Sequence, residues 1–138
     1  MKKILLSMLA ITLISAGCTK VDSDPTQVTK TFEWTATGDD GSVGTAYVTI
    51  LKYSTDSLQL KNDWASCIEV TGLPTPAIAG TIQSVEKTLT LESGTTYYFA
   101  MKVYDEPPWN NESVLSNIIS LTPPDTRAPL GITDLHFK

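Results

Sequence analysis

A run of alternating apolar residues, within residues 89–103, constrains the fold of this chain more than any other stretch. Four large side chains occupy every second position after a turn at Ser93 and Gly94: Tyr97, Phe99, Met101 and Val103. In a β-strand this spacing places all four on one face, which predicts a core strand. Tyr97 comes six residues after Leu91, where a tyrosine can bury its ring and return its hydroxyl to backbone upstream, the corner arrangement of β-sandwiches. The stretch therefore predicts an all-β sandwich.

The amino terminus has the pattern of a secretory signal. Lys2 and Lys3 precede an apolar run over residues 4–14, and small residues lead up to Cys18. A positive start, a short apolar centre and a small-residue cleavage region are typical of an exported bacterial protein. The apolar run is too short to cross a bilayer core of about 30 Å as a helix.

Cys18 directly follows the small residues 16–17, and this resembles the lipobox of bacterial lipoproteins. The resemblance implies a lipoprotein signal peptide over residues 1–17, cleavage before Cys18, and acyl chains on Cys18 that anchor the chain in a membrane. Ser15 departs from the leucine usual in that motif, so an ordinary cleavable signal, cut near Ala16 or Gly17, is the alternative. Residues 18–27 are polar and predict a tether between the lipid anchor and the folded domain.

The charge of the chain limits its partners. With a net charge of −5, neither nucleic acid nor the surface of an anionic membrane is expected to attract it, since both are negative. Membrane contact is therefore expected through the lipid on Cys18. This places the protein in the bacterial cell envelope, at the outer membrane or the cell surface, with an unknown protein or polysaccharide as its partner.

The mature chain alternates between strand patterns and loops. Period-two alternation predicts five strands, over residues 28–36, about 46–53, 83–91, 97–104 and 115–121. Residues 54–57 are expected to form a turn, and residues 63–70 one helical turn followed by a short strand. These elements predict one folded domain over residues 28–122.

Several blocks of this domain, in order and spacing, resemble the fibronectin type III domains of bacterial surface and secreted proteins. The blocks are residues 33–36, 38–41, 43–46, 52–55, 94–100 and 115–117. The resemblance implies an immunoglobulin-like sandwich of about seven antiparallel strands, in which Trp34 and Tyr97 are core residues. It implies a fold and no particular activity.

The chain departs from that family at both ends of the domain. Too few residues lie between Cys18 and Val28 for both a tether and the family's first strand, so this strand is expected to be missing. Residues 123–138 look like a proline-rich linker followed by the first strand of a further domain. Three accounts stay open: a longer protein that has lost its remainder, a tail that completes its own sandwich as a permuted first strand, or a tail that inserts into a neighbouring molecule.

Two loops at one end of the predicted sandwich are rich in carboxylates. Asp39 and Asp40 follow the first strand, whereas Asp105 and Glu106 follow the tyrosine strand. If all four converge, they predict a Ca²⁺ site, because calcium takes oxygen ligands and a cation would relieve their repulsion. The alternative is that the two aspartates of the first loop hydrogen-bond their own turn while the other two carboxylates stay solvated.

A second candidate site is aromatic. Trp109, with Tyr104, Asn110 and Asn111, predicts a sugar-binding platform, in which an aromatic face is flanked by amides. The alternative is that Trp109 fastens a long loop onto the end of the sandwich.

Catalysis is not expected. The single histidine, His136, lies in the tail, Cys67 has no neighbouring base, and no phosphate-binding glycine loop precedes a helix. If Cys18 carries lipid, Cys67 also has no disulfide partner. The sequence thus predicts a non-catalytic, lipid-anchored interaction or spacer module. The alternatives are the amino-terminal part of a larger surface adhesin or secreted hydrolase, and a carbohydrate-binding accessory domain.

Overall fold

A computed structural model of the chain describes residues 25–137. The predicted signal peptide, Cys18 and most of the predicted tether therefore lie outside the described residues. The elements, in chain order, are β1 (Pro25–Thr35), β2 (Val48–Ser54), α1 (Ser57–Asn62), a 3₁₀ turn (Trp64–Ser66), β3 (Ile68–Glu69), β4 (Ile82–Glu92), β5 (Tyr97–Tyr104) and β6 (Ile119–Leu121). β1 begins at Pro25, three residues before the predicted start at Val28.

The six described strands form two antiparallel sheets. One sheet contains β1 and β4 alone, and the other has the order β3-β2-β5-β6. β1 and β4 pair along their whole length, from Pro25 opposite Glu92 to Thr35 opposite Ile82. With one short helix among the described residues, this architecture confirms the prediction of an all-β protein.

The main core lies between the two sheets. Its buried residues come from both of them: Phe32, Leu51, Val70, Leu91, Tyr97 and Phe99. The rings of Phe32 and Phe99 are 5.3 Å apart between centroids, and Trp34 packs against the cluster while staying half-buried. The hydroxyl of Tyr97 accepts a hydrogen bond of 3.0 Å from the backbone N–H of Glu92, so the predicted tyrosine corner is present.

A second, smaller core covers the other face of the four-stranded sheet. Leu60 of α1, Cys67 and Ala100 of β5 are buried there, and Trp64 packs beside them. The helix begins where the carboxylate of Asp56 accepts a hydrogen bond from the Leu58 N–H, as is typical of a helix N-cap. The helical turn and short strand predicted within residues 63–70 are present as the 3₁₀ turn and β3. Only a turn was predicted at residues 54–57, so α1 and this core were missed. A helix of six residues is too short for its periodicity to stand out.

The last strand is shorter than predicted. Residues 115–121 were expected to be extended, but β6 covers only Ile119–Leu121. Before it, the backbone N–H groups of Ser113 and Ser116 donate to the carbonyls of Val103 and Met101, and the N–H groups of those two β5 residues donate to the serine hydroxyls. Two serine side chains thus replace backbone acceptors. From Ser113 to Ser116 the chain advances three residues, whereas from Val103 to Met101 on β5 it covers two. One extra residue on one of two paired segments is the geometry of a β-bulge.

Candidate binding surfaces

The free edge of β1 is the first candidate surface. Ala36, directly after β1, donates its N–H to the carbonyl of Thr81, so the even-numbered residues of β1 bond to β4. Because antiparallel pairs alternate, the odd-numbered residues direct their N–H and C=O groups to the opposite side. They are Gln27, Thr29, Thr31, Glu33 and Thr35. No strand within residues 25–137 pairs with this side, so a row of backbone donors and acceptors is left open.

An apolar groove runs beside that edge, between the two sheets. One part, of about 310 Å³, is lined by Phe32, Trp34, Phe99 and Met101, among others. An adjoining part of about 380 Å³ continues along Trp34 and Met101 to Leu115. The indole nitrogen Nε1 of Trp34 is buried and has no hydrogen-bond partner among the described residues. An unpaired buried donor is costly, so an acceptor for this indole N–H would stabilise the fold.

The predicted calcium ligands do not come together as one group. Asp39 and Asp105 line the same cavity between their loops, whereas Asp40 and Glu106 do not line it. The carboxylate of Asp39 accepts the N–H of Asp40, and the carboxylate of Asp105 accepts the side-chain amide of Asn111 at 2.7 Å. Across residues 25–137, no three His, Cys, Asp or Glu side chains are grouped so as to hold a metal ion.

The predicted sugar platform is only partly assembled. Trp109 is 71% exposed, but its polar neighbours bond within their own loop. The amide of Asn110 donates to the carbonyl of Pro108, and the hydroxyl of Tyr104 donates to Glu112 at 3.1 Å. Burial, together with the adjacent Glu112 carboxylate, raises the pKa of Tyr104. These polar groups thus have partners within residues 104–112.

An aromatic and charged cluster that the sequence analysis missed lies around Trp64. The ammonium groups of Lys52 and Lys102 are each 5.4 Å from the centroid of its ring, within the range of cation–π attraction. Lys102 also forms an ion pair of 2.7 Å with Glu112. Hydrogen bonds from Lys102 and Tyr104 lower the pKa of Glu112. The cluster packs over the second core, and its groups bond to one another.

Cys67 and His136, the two residues considered for catalysis, lie in different surroundings. Cys67 is buried, burial raises the pKa of its thiol, and its Sγ contacts the carbonyl of Asp63. His136 lies in the exposed tail, where Nδ1 is 2.7 Å from the carbonyl of Asp134. A reactive cysteine needs a lowered pKa, so burial works against reactivity here.

Fold and surfaces together define an all-β protein of two antiparallel sheets with an open edge. Comparison of the chain with known protein families, with curated proteins and with solved structures finds no match. Within the described residues, no helix has the length and apolar character needed to cross a membrane.

Proposed function

We propose that this protein is a non-catalytic interaction module of fibronectin type III kind, held at the bacterial cell envelope by lipid on Cys18. The two antiparallel sheets and the corner bond of Tyr97 support the family, because the resemblance implies an antiparallel sandwich with this tyrosine in its core. The lipobox-like end of the signal supports the anchor.

One observation carries the binding role: the unpaired edge of β1 lies beside a largely apolar groove lined by Trp34, a residue whose buried Nε1 has no hydrogen-bond partner among the described residues. An extended segment laid along this edge would pair with the free backbone groups and cover the groove with alternate side chains. This is recognition by β-strand addition, in which backbone bonds give affinity and the groove gives selectivity.

Site-specific photo-crosslinking in living cells tests the binding edge. Thr29 and Thr88 form a matched pair, because they face each other across β1 and β4 and their hydroxyls are 2.8 Å apart. The backbone of Thr29 is directed to the open side of β1, whereas that of Thr88 is directed to the far side of β4, which is also unpaired within residues 25–137 but does not line the groove. A photoreactive residue at Thr29 is expected to capture a partner, and one at Thr88 is not. Equal capture at both positions, or none at either, would refute the proposed role.

The anchor is tested by the intact mass of the protein from the envelope fraction. We expect a chain that begins at Cys18 and carries lipid, and a Cys18→Ser variant that carries none and leaves the membrane fraction. A chain without lipid would remove the anchor and leave an exported domain with the same binding edge.

A further inference from the structure

The described residues contain both an open edge and an extended apolar segment without cover. Residues 130–137 form no strand, and four of them expose large apolar side chains: Leu130 (90%), Ile132 (81%), Leu135 (90%) and Phe137 (fully). Apolar residues two apart lie on one face of a strand, so Leu135 and Phe137 form such a face. Exposed apolar surface of this kind marks an interaction site.

The tail leaves the domain at the end where β1 begins. Leu121 pairs with Tyr97 at the start of β5, and the carbonyl of Pro123 accepts the N–H of Gly94 at 2.8 Å. Pro25, the first residue of β1, is opposite Glu92, two residues before Gly94. We call this end the base of the domain. The tail therefore starts at the base, as β1 does.

We propose that residues 130–137 of one copy pair with the free edge of β1 in a second copy and fill its groove, and that the second copy returns the same contact. This inference rests on the proposed function and names its partner. Such a reciprocal exchange closes on itself as a two-fold dimer, with no open end for further growth.

The linker favours exchange between copies over a return to the same copy. Residues 123–129 include three prolines, and proline-rich segments are stiff and extended at about 3.1 Å per residue, or about 20 Å in all. Such a linker holds residues 130–137 away from their own domain. This agrees with the exposure of their apolar side chains. The chain turns at the base in either case, but an extended linker of about 20 Å is longer than the roughly 10 Å between the facing sheets of its own domain, so its length suits a neighbouring copy better.

The lipid anchor sets the direction of pairing. Cys18 is seven residues before Pro25, so two anchored copies stand side by side with both bases near the membrane. Each tail then enters its neighbour's groove from the base and runs parallel to β1. Eight extended residues span about 26 Å, against about 36 Å for the eleven residues of β1, so the strand fits within the edge.

Isotope-mixed crosslinking identifies the copy that supplies the strand. Full chains of natural isotope content, with a photoreactive residue at Thr29, are mixed and refolded with ¹⁵N-labelled chains. We expect crosslinks from light β1 to heavy tail peptides, none from Thr88, and twice the chain mass by light scattering. Crosslinks to light tails alone would mean that each tail binds its own edge and would overturn the inference.

The remaining outcomes separate this inference from the proposed function. Capture at Thr29 of anything other than the tail would overturn the dimer and leave the binding edge intact. No capture at Thr29 would overturn both. Crosslinks that place the end of the tail beside the start of β1 would overturn the parallel, side-by-side arrangement.

Variants in the tail test the dimer without endangering the fold, since their positions are exposed. Leu135→Asp combined with Phe137→Asp is expected to weaken the dimer at least about 10-fold, because two apolar side chains would no longer fill the groove. Ala128→Asp is the control: it adds charge to the same exposed tail, before the pairing segment, and is expected to leave the dimer unchanged. A monomeric wild type, or a double variant that dimerises as tightly as the wild type, would overturn the inference.

Discussion

Removal of one oxygen atom, by Tyr97→Phe, isolates the contribution of the tyrosine corner. The hydroxyl of Tyr97 accepts the backbone N–H of Glu92 at 3.0 Å, and the ring is 8% exposed in the core. Phenylalanine keeps the ring and its edge contact with Tyr53, whose centroid is 5.8 Å away, so packing is preserved. The variant therefore removes one hydrogen bond and little else.

Such a bond contributes about 0.5 to 1.5 kcal/mol net. Because Glu92 is exposed and its N–H regains water, we expect a loss of about 1 kcal/mol. For a domain of about 110 residues, the unfolding entropy of roughly 2.1 cal/mol/K per residue converts this loss into a fall in Tm of about 4 °C.

Thermal unfolding by circular dichroism, with urea titration as a second measure, checks this value. Tyr47→Phe is the control, since Tyr47 is 61% exposed and the same atom is removed from a hydrated side chain. It is expected to change stability by less than about 0.5 kcal/mol. If the two variants unfold alike, the corner bond contributes nothing measurable and the reasoning fails.

Three further predictions concern the second core and its surroundings. Leu60→Ala, at a fully buried position, should cost about 2 to 5 kcal/mol in urea unfolding, because it leaves a cavity beneath α1; a loss below 1 kcal/mol would mean that α1 does not close a core. The pKa of Glu112 is lowered in the folded state by hydrogen bonds from Lys102 and Tyr104, so its interaction stabilises the fold above the unfolded pKa of about 4.5 and is lost as pH falls through the folded value. Glu112→Gln should therefore reduce the loss of Tm below pH 4.5, and an unchanged acid profile would contradict this. Finally, iodoacetamide at pH 8 should modify Cys67 much more slowly in the folded protein than in urea, because the thiol is buried and its pKa is raised; equal rates would show that the site opens freely.

Long strands were predictable because their signal is local. β1, β4 and β5 each place apolar residues at every second position, and the predicted bounds agree with the observed ones to within three residues at each end. The corner bond of Tyr97 followed from its distance in sequence from the preceding strand. By contrast, α1 is held by the packing of Leu60 against Cys67 and against Ala100, which lies far from it in sequence. No local pattern reports such a contact.

The candidate sites were harder to predict, because they depend on the conformations of loops and on the hydrogen bonds that the loop side chains make. Asp39 and Asp105 do share a cavity, as the shared end of their strands suggested, but Asp40 and Glu106 do not line it. The amides expected beside Trp109 are used inside their own loops, and nothing in the residue types indicated this. An open edge was expected from the sequence, because the resemblance implies a first strand for which the chain has too few residues. Its groove and the unpartnered nitrogen of Trp34 required the packing of both sheets.

The serine hydroxyls beside β5 protect one border of the molecule from misassembly. Ser113 and Ser116 accept the N–H groups of β5 and donate to the carbonyls of Val114 and Asn117, so this border has few free groups for a passing strand. Natural sheets avoid aggregation by blunting their edges in this way. The two-stranded sheet has no such protection along β1. In a chain that lacks its tail, aggregation at high concentration would therefore start at β1, and a charged residue in place of Thr31 is the substitution that should make that shortened chain easier to concentrate.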